Sequence, residues 1–447
     1  MRILHYTLGL PPFRSGGLTR YASDLMEEQT KHNEVFHLYP GKVDFFNKNT
    51  KIIKKKKSNS GDKIIHFEII NSLPLPLFRG ISQPSHFIIT VPDNVYKEYL
   101  SLINPDVIHI HSLMGLHKEF ITCAKDLGIR LVFTSHDYFG ICPTINLYKD
   151  RENVNCNNYD DGKGCQECCF NAMNTKSLLL TQTSIYPFIK KIKKFIPSKK
   201  FRIGTVNSDK VEIDKLDKSK SYKYVLLREY YLTMLRRIDY FHFNSIQTEQ
   251  VYKSYLPEVK GKVLSITHSG VRKNAIQKKQ GSKIIIGYLG PMKEYKGFNL
   301  LIDLFKQLPK DYFELHIYGD DSILEVDENV FLYGRYSNED LERIILSFDV
   351  VVVPSIWRET FGFVTLEALS FGTPVIVSEN VGSKDLVKGE FGWKFDPSSP
   401  IELLNILTNL NKKVLNQKHV NINEYFIVNT LEEHSKLLIR NFYTENE

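Results

Sequence analysis

The amino-acid sequence predicts an α/β protein built from two doubly wound, parallel-sheet domains. At 447 residues the chain is too long for one ordinary hydrophobic core. Short, uninterrupted apolar runs recur with helix-length gaps, as parallel strands require when helices cover both faces of their sheet. The hydrophobic fraction of 42% and the charged fraction of 25% are ordinary for a chain that folds in water.

The N-terminal half has five predicted strands. They begin at Arg2, Val35, Ile64, Val107 and Leu131. We assign residues 1–270 to this domain, which is long for one such unit. The excess is a cysteine-rich, basic insertion at about 140–221.

The C-terminal half repeats the pattern more regularly, with predicted strands at Ile284, Phe313, Val350 and Pro374. A polar stretch from Ser269 to Ser282 precedes them and marks the domain boundary. We therefore expect a second domain over residues 283–415. Residues 416–447 are predicted to form a C-terminal helix that packs back on the first domain.

Basic residues are concentrated in one region. Residues 176–237 hold 16 Lys or Arg against 5 Asp or Glu, although the whole chain carries a net charge of +8. Within this region, the lysines from Ile189 onward alternate with apolar residues and fit a short helix lying on anionic lipid. No nucleic-acid-binding signature accompanies them, so a nucleic-acid partner is not expected. A second lysine-rich stretch, from Lys51, is predicted to be a surface loop.

No uncharged apolar run reaches 18 residues, and Pro11 and Pro12 interrupt the N-terminus too early for a signal peptide. We expect a cytoplasmic protein with peripheral contact on the inner face of the membrane.

The segment from Pro354 to Ser378 carries the strongest functional pattern. Glu359 and Glu367 are eight residues apart, so a helix starting at Phe363 places Glu367 in its second turn and Glu359 in the loop before it. Ligands of open α/β sheets bind at the carboxyl ends of strands, where a helix N-terminus favours phosphate. Gly362 would allow the backbone to approach a diphosphate closely. Two solvated surface glutamates are the alternative.

In this setting the sequence resembles glycosyltransferase family 4, whose members have the GT-B fold of two Rossmann-like domains facing across a cleft. The resemblance covers nearly the whole chain. It includes RSGGLTRYA from Arg14, DVIHIH from Asp106, TSHD from Thr134, HSGV from His268 and GYLGPMKEYKGF from Gly287. Some members carry a similar cysteine-rich insertion, so the resemblance implies that subgroup.

The resemblance implies roles for individual residues. Glu359 would contact the transferred sugar and Glu367 the ribose hydroxyls, while Lys296 would hold the phosphates. The amides of five consecutive residues would bind the diphosphate: Phe361, Gly362, Phe363, Val364 and Thr365. Family members usually have arginine directly after the glycine that is Gly290 here, and this chain has Pro291. Lys293 is the candidate to replace that cation.

On the N-terminal side, Gly16 and Gly17 follow the first strand and are expected to form a phosphate or acceptor loop. By resemblance His136 touches the donor sugar, and Asp137 orients that ring or binds an acceptor hydroxyl. A histidine satisfied within the core is the alternative. His109 and His111 alternate on a strand and share a face, and we expect them to be structural.

Five of the six cysteines lie in the insertion. Cys142, Cys156, Cys165 and Cys168 could form a structural zinc site; an iron–sulfur cluster and reduced thiols remain open. No cofactor is expected for catalysis.

We expect a retaining hexosyltransferase that moves a sugar from a UDP- or GDP-linked donor to a glycan or lipid-linked acceptor. The products would be cell-surface polysaccharides such as O-antigen of lipopolysaccharide, or capsule. The alternatives are an epimerase or phosphorylase with the same fold, and an inactive nucleotide-sugar-binding protein. An NAD-dependent oxidoreductase is disfavoured because the first strand is not followed by Gly-x-Gly-x-x-Gly.

Overall fold

The structure is a computed structural model. It describes residues 1–11, 14, 16–55, 61–76, 79–183, 217–272 and 281–444.

An eight-stranded sheet organises the N-terminal half. In chain order the strands of this half are β1 (Arg2–Tyr6), β2 (Glu34–Pro40), β3 (Lys51–Lys54), β4 (Ile65–Ile70), β5 (Val107–Ile110), β6 (Arg130–Thr134), β7 (Tyr148–Lys149), β8 (Val154–Asn155), β9 (Tyr240–Phe243) and β10 (Gly261–Val263). The order across the sheet is β10-β9-β6-β5-β1-β2-β4-β3, and every pairing is parallel except β3 with β4. β7 and β8 form a separate antiparallel hairpin in the insertion.

A six-stranded parallel sheet organises the C-terminal half. Its strands are β11 (Ile284–Leu289), β12 (Phe313–Tyr318), β13 (Val330–Leu332), β14 (Val350–Val353), β15 (Val375–Ser378) and β16 (Gly392–Phe395), in the order β13-β12-β11-β14-β15-β16. Every residue of the central strands β14 and β15 is buried, as helices on both faces require. The four strands predicted for this half are present. The short edge strands β13 and β16 were not predicted.

Helices connect the strands of both sheets. The described α-helices are Gly17–Gln29, Asn94–Ile103, Lys118–Asp126, Lys163–Cys168, Thr175–Thr181, Lys218–Leu235, Ile246–Tyr255, Phe298–Phe305, Leu341–Leu346, Phe363–Ser370, Pro400–Thr408, Lys412–Tyr425 and Leu431–Leu438. Short 3-10 turns occur at Pro84–Phe87, Asp160–Gly162, Glu294–Lys296 and Gly382–Leu386, and Ile439–Tyr443 is π-helical. The expected fold of two doubly wound domains is confirmed.

One local prediction is wrong. The lysine-rich stretch from Lys51 begins as the edge strand β3, paired antiparallel with β4, and not as a loop. Its isoleucines favour a strand, and lysines are common on an exposed sheet edge because they discourage pairing with another chain. Residues 56–60 of the stretch lie outside the described part of the chain.

The C-terminal segment contacts both halves. Helix Lys412–Tyr425 lies on the second domain, where Lys412 pairs with Asp349 at 2.9 Å. Helix Leu431–Leu438 and the π-helical turn after it pack against helix Gly17–Gln29 and the first sheet. The domain limits of 1–270, 283–415 and 416–447 stay predictions.

None of the helices described is long and apolar enough to cross a membrane. The basic segment expected to lie on lipid, from Ile189, falls within residues 184–216, outside the described residues. Contact with the inner membrane therefore stays a prediction.

Candidate functional site

Glu359 lies in the loop between β14 and helix Phe363–Ser370, as predicted. Its Oε1 is 2.7 Å from Nζ of Lys296, and its Oε2 accepts a hydrogen bond from the Ser355 hydroxyl at 2.8 Å. The Lys296 ammonium also lies 5.2 Å from the centre of the Trp357 ring. The two residues that the sequence assigned to sugar and phosphate thus meet at one point, although 63 positions separate them.

Glu367 lies in the second turn of helix Phe363–Ser370 and is buried. Its Oε1 accepts hydrogen bonds from Nη1 of Arg20 at 3.1 Å and from Nε2 of His268 at 2.9 Å. Both partners come from the N-terminal half. Among the described residues none is hydrogen bonded to Oε2, and the contact of Glu367 with ribose hydroxyls stays a prediction.

A tight turn precedes that helix. Gly362 has φ of +88°, a conformation that side chains rarely adopt. Amides at the start of a helix have no carbonyl partner within the helix, so the turn presents N–H groups that favour an anion. The Thr365 amide is an exception, because it donates to the Gly362 carbonyl at 3.3 Å. The geometry suits a diphosphate role for the amides from Phe361 to Val364, and the role given to all five residues stays a prediction.

Gly17 faces the same turn from the other domain. It is the first residue of helix Gly17–Gln29, and Gly16 caps that helix with φ of +113°. A β-carbon on Gly17 would lie 3.0 Å from the Phe363 ring. Close packing between the domains therefore favours glycine at this position, since a larger residue would push the Phe363 ring aside. A phosphate or acceptor contact for the two glycines stays a prediction.

His136 and Asp137 follow β6 and are both partly exposed. Burial lowers the pKa of His136 to about 3, so its ring is neutral. Burial also raises the pKa of Asp137 to about 6, although the Phe139 amide and the Ser112 hydroxyl donate hydrogen bonds to its carboxylate. A neutral imidazole and a carboxylate that is ionised at neutral pH suit contacts with sugar hydroxyls.

The N-terminal half holds the Glu359 loop through its backbone. The Gln247 amide donates to the carbonyls of Glu359 at 2.7 Å and Asn380 at 2.9 Å. The Thr360 hydroxyl donates to the His136 carbonyl at 2.9 Å. These bonds place His136 beside the loop that carries Glu359.

The insertion also holds the loop that carries Glu359, through hydrogen bonds to the loop backbone. The Asn155 side chain donates to the Ile356 carbonyl at 3.0 Å and accepts from the Arg358 amide at 2.9 Å. Hairpin β7–β8, where Asn155 ends β8, therefore touches the candidate site.

The second expected phosphate cation is less clearly placed. Gly290 directly follows β11, and its amide donates to the Tyr318 carbonyl at 2.9 Å. Lys293 precedes the 3-10 turn that carries Lys296, and its side chain is exposed. A phosphate contact for Lys293 stays a prediction.

The insertion's cysteines are free thiols. Sγ of Cys142 lies 3.1 Å from the Thr144 hydroxyl, and Cys165 is 3.7 Å from Nη2 of Arg228. Cys156 contacts the Asn158 carbonyl. No three of the sulfurs of Cys142, Cys156, Cys165 and Cys168 come within 4.8 Å of one another in the described part of the chain. The ligand atoms are therefore not gathered as a tetrahedral zinc site needs, and zinc binding stays a prediction.

Sequence reasoning did not assign roles to Arg20, His268 and Gln247. Arg20 and His268 stand within quoted motifs, RSGGLTRYA and HSGV. Their contact with Glu367 depends on how the domains meet, which no local pattern reveals. Gln247 carries no motif signal.

A family comparison covers the part of the chain that carries the two glutamates. Residues 272–425 match the family described as Glycosyl transferases group 1. This part of the chain is therefore similar to glycosyltransferase group 1 domains.

Curated relatives include two proteins of a cps region. One is an uncharacterized 41.2 kDa protein in the cps region of Klebsiella pneumoniae, 35% identical over 25% of this chain and 30% of its own length. Another, an uncharacterized 42.6 kDa protein in the same organism's cps region, is 24% identical over 74% of each chain. The D-rhamnosyltransferase WbpZ of Pseudomonas aeruginosa is 27% identical over 35% of this chain and 45% of its length. The first and third matches thus span less than half of those relatives.

Solved structures resemble the chain over almost its whole length. Sucrose-phosphate synthase of Thermosynechococcus elongatus is 15% identical with a TM-score of 0.53, covering 99% of each chain. Anabaena HepE, solved in complex with UDP, is 13% identical with a TM-score of 0.57, covering 98% of this chain and 100% of its own. At these identities the likeness establishes the fold, and the predicted GT-B fold is confirmed.

Proposed function

We propose that the chain is a retaining glycosyltransferase that moves a sugar from a UDP- or GDP-linked donor to a glycan or lipid-linked acceptor in cell-surface polysaccharide synthesis. The contact between Lys296 and Glu359 beside the Gly362 turn carries the proposal. The cps-region relatives and the D-rhamnosyltransferase support the pathway. The neighbour in complex with UDP supports the donor class.

The residues suggest how transfer would proceed. The helix N-terminus at Gly362 and the Lys296 ammonium would stabilise negative charge that develops on the departing diphosphate. Glu359 keeps that ammonium in place and would accept hydrogen bonds from the transferred sugar. The leaving phosphate would take the acceptor's proton on the face it departs from, so that the anomeric configuration is retained.

The first experiment is a thermal-shift and calorimetric panel of UDP-, GDP- and other nucleotide sugars, followed by a transfer assay with the ligand that binds. Specific binding raises the melting temperature by mass action. We expect Glu359→Gln to lower kcat by about 100-fold, in the range measured for removal of one preorganised electrostatic contact. Glu339→Gln, at an exposed position, is the matched control and should leave kcat unchanged.

The product distinguishes the alternatives. A glycosylated acceptor whose new bond keeps the donor's anomeric configuration, read by proton NMR, supports the proposal. An epimerised nucleotide sugar or a sugar phosphate would identify an epimerase or a phosphorylase. Binding without turnover on any acceptor would identify an inactive binding protein.

A further inference from the structure

A continuous line of hydrogen-bonded side chains runs through the core of the N-terminal half and ends at His136. We call this line the histidine chain. Its members, in order from a backbone carbonyl, are Leu264 O, His242, Thr134, His109, Tyr443, Gln29, His5, His111 and His136. All its side chains are buried except that of His136, which is partly exposed.

The directions of the hydrogen bonds follow from the group at which the histidine chain begins, the Leu264 carbonyl. A carbonyl only accepts, so the His242 ring, 2.7 Å away, must donate through Nε2–H to Leu264. Burial lowers the pKa of His242 to about 4. The ring is therefore neutral, and its Nδ1 accepts the Thr134 hydroxyl at 2.8 Å.

The next hydrogen bonds lead from Thr134 through His109 to Tyr443 in the C-terminal segment, and their directions follow in the same way. Thr134 has one hydroxyl proton and has donated it, so at 2.6 Å it accepts Nε2–H of His109. Burial lowers the pKa of His109, whose Nδ1 is then a bare acceptor for the Tyr443 hydroxyl at 2.7 Å. The Tyr443 hydroxyl donates its single proton to His109, so its oxygen accepts the Gln29 amide N–H at 3.2 Å.

The orientation of the Gln29 side-chain amide then determines the directions of the remaining three hydrogen bonds. With its amide nitrogen on Tyr443, its carbonyl oxygen accepts Nε2–H of His5 at 2.8 Å. Nδ1 of His5 accepts Nε2–H of His111 at 3.0 Å, and Nδ1 of His111 accepts Nε2–H of His136 at 3.2 Å. Burial lowers the pKa values of His5 and His111, so both rings are neutral as these roles demand.

We infer that the histidine chain fixes His136 as its Nε2–H tautomer, leaving Nδ1 as an acceptor for a hydroxyl group of the bound sugar. The sugar contact rests on the proposed function; the tautomer does not. Among the described residues none is hydrogen bonded to Nδ1 of His136. Tyr443 and Gln29 are then positioning residues, because they act on His136 through other groups.

Bound metal is the competing use of this cluster. One ring nitrogen from each of His5, His109 and His111 lies within 4.8 Å of the others. All six ring nitrogens of these residues, however, already have hydrogen-bond partners. A metal ion would have to break several of these bonds, so proton ordering fits the cluster better.

The direct test is nitrogen NMR of the full-length chain labelled with 15N at histidine, without ligand, at pH 7. A protonated ring nitrogen and a bare one have well-separated shifts. The signal lost in His136→Asn identifies residue 136, which we expect to be protonated at Nε2 and bare at Nδ1. A ring protonated at Nδ1, or at both nitrogens, would overturn the inference. The result does not depend on any enzymatic activity.

Tyr443→Phe tests the role of the C-terminal segment. Without that hydroxyl the Gln29 amide is free to turn over, which would reverse His5, His111 and His136 together. We expect a second His136 signal protonated at Nδ1, together with a fall of about 10-fold in kcat/KM and an unchanged Kd for the nucleotide alone. Tyr425→Phe, at an exposed tyrosine, is the control. A single Nε2–H signal with unaltered kcat/KM in Tyr443→Phe would refute control by Tyr443.

Discussion

The two glutamates of the candidate site use their oxygens differently. Glu359 gives one oxygen to Lys296 and the other to Ser355 within its own domain. Glu367 gives Oε1 to two partners from the other domain and leaves Oε2 without a partner among the described residues. The first arrangement suits a residue that organises charge at the reacting sugar, and the second suits a residue that binds ligand.

This difference predicts the effect of Glu367→Gln. The amide cannot accept at both positions, and hydrogen bonds to a charged group are worth about 1.5–3 kcal/mol. We expect the Kd for the nucleotide sugar to rise about 10-fold or more, with a smaller change in kcat than Glu359→Gln produces. Calorimetry gives the Kd, and Glu339→Gln again serves as the control. An unchanged Kd would remove Glu367 from the donor site.

The raised pKa of Asp137 indicates that its carboxylate lowers the stability of the folded protein at neutral pH. Its folded pKa of about 6 lies above the ordinary 3.8. The folded protein therefore binds more protons between these values, and the aspartate lowers stability as pH rises through that window. Asp137→Asn keeps the acceptor for the Phe139 amide. We expect it to gain about 1–2 kcal/mol at pH 7, allowing for solvent screening, and nothing below about pH 4.

Denaturant unfolding at both pH values checks this prediction. Under the proposed function the same variant loses acceptor binding, and KM for the acceptor rises. Equal stability of Asp137→Asn and wild type at pH 7 would show that folding does not raise the pKa of this carboxyl.

At the scale of elements, the loop from Pro354 to Gly362 depends on parts of the chain that are far away in sequence. Gln247 holds it from helix Ile246–Tyr255, and Asn155 holds it from the insertion. Such bonds reduce the freedom of Glu359 to leave the position in which it meets Lys296.

Removing the hydrogen bonds that Asn155 makes to this loop should therefore affect turnover more than folding. Asn155→Ala loses two hydrogen bonds to backbone, each worth about 1 kcal/mol. We expect kcat to fall about 3–10-fold while the melting temperature changes by only a few degrees. Asn338→Ala, at an exposed asparagine, is the matched control. A kcat equal to wild type would mean that the insertion does not position the loop.

The elements differ in how far the sequence predicts them. Central strands such as β14 are evident because burial on both faces demands an unbroken apolar run. A helix starting at Phe363 was expected from the sequence and is present. In contrast, β13 and β16 are short edge strands with no such pattern, and the charge of the stretch from Lys51 obscured β3.

For the site, sequence reasoning found residues that stand in local motifs, such as Glu359 and Lys296. It did not assign Arg20, His268 or Gln247, since each acquires its contact only when the two halves meet. The histidine chain shows the same limit. His109 in β5 and His111 just after it were recognised as sharing a face, but Tyr443 joins them from more than 300 positions away.

At the scale of the whole molecule, the C-terminal segment ties the two domains together. Helix Lys412–Tyr425 belongs to the second sheet's surface, and the residues after it cover the first domain. Nε2 of His434 is hydrogen bonded to the Tyr21 hydroxyl at 2.8 Å, and Nε of Arg130 donates to the Phe442 carbonyl at 2.7 Å. Leu438, Phe442 and Tyr443 are buried in a core shared with residues of both halves.

Truncation after Phe426 should consequently destabilise the N-terminal domain more than the C-terminal domain. Burying one large apolar side chain contributes about 1.5–3 kcal/mol, so losing Leu438, Phe442 and Tyr443 removes several kcal/mol from one domain. Because domains that lose their mutual contacts no longer unfold as one unit, calorimetry should show two transitions, with the new one at lower temperature. Truncation after Thr444 is the control, since it removes only residues 445–447 and keeps all of these contacts. One transition at the wild-type temperature in the chain truncated after Phe426 would show that the segment does not stabilise the first domain.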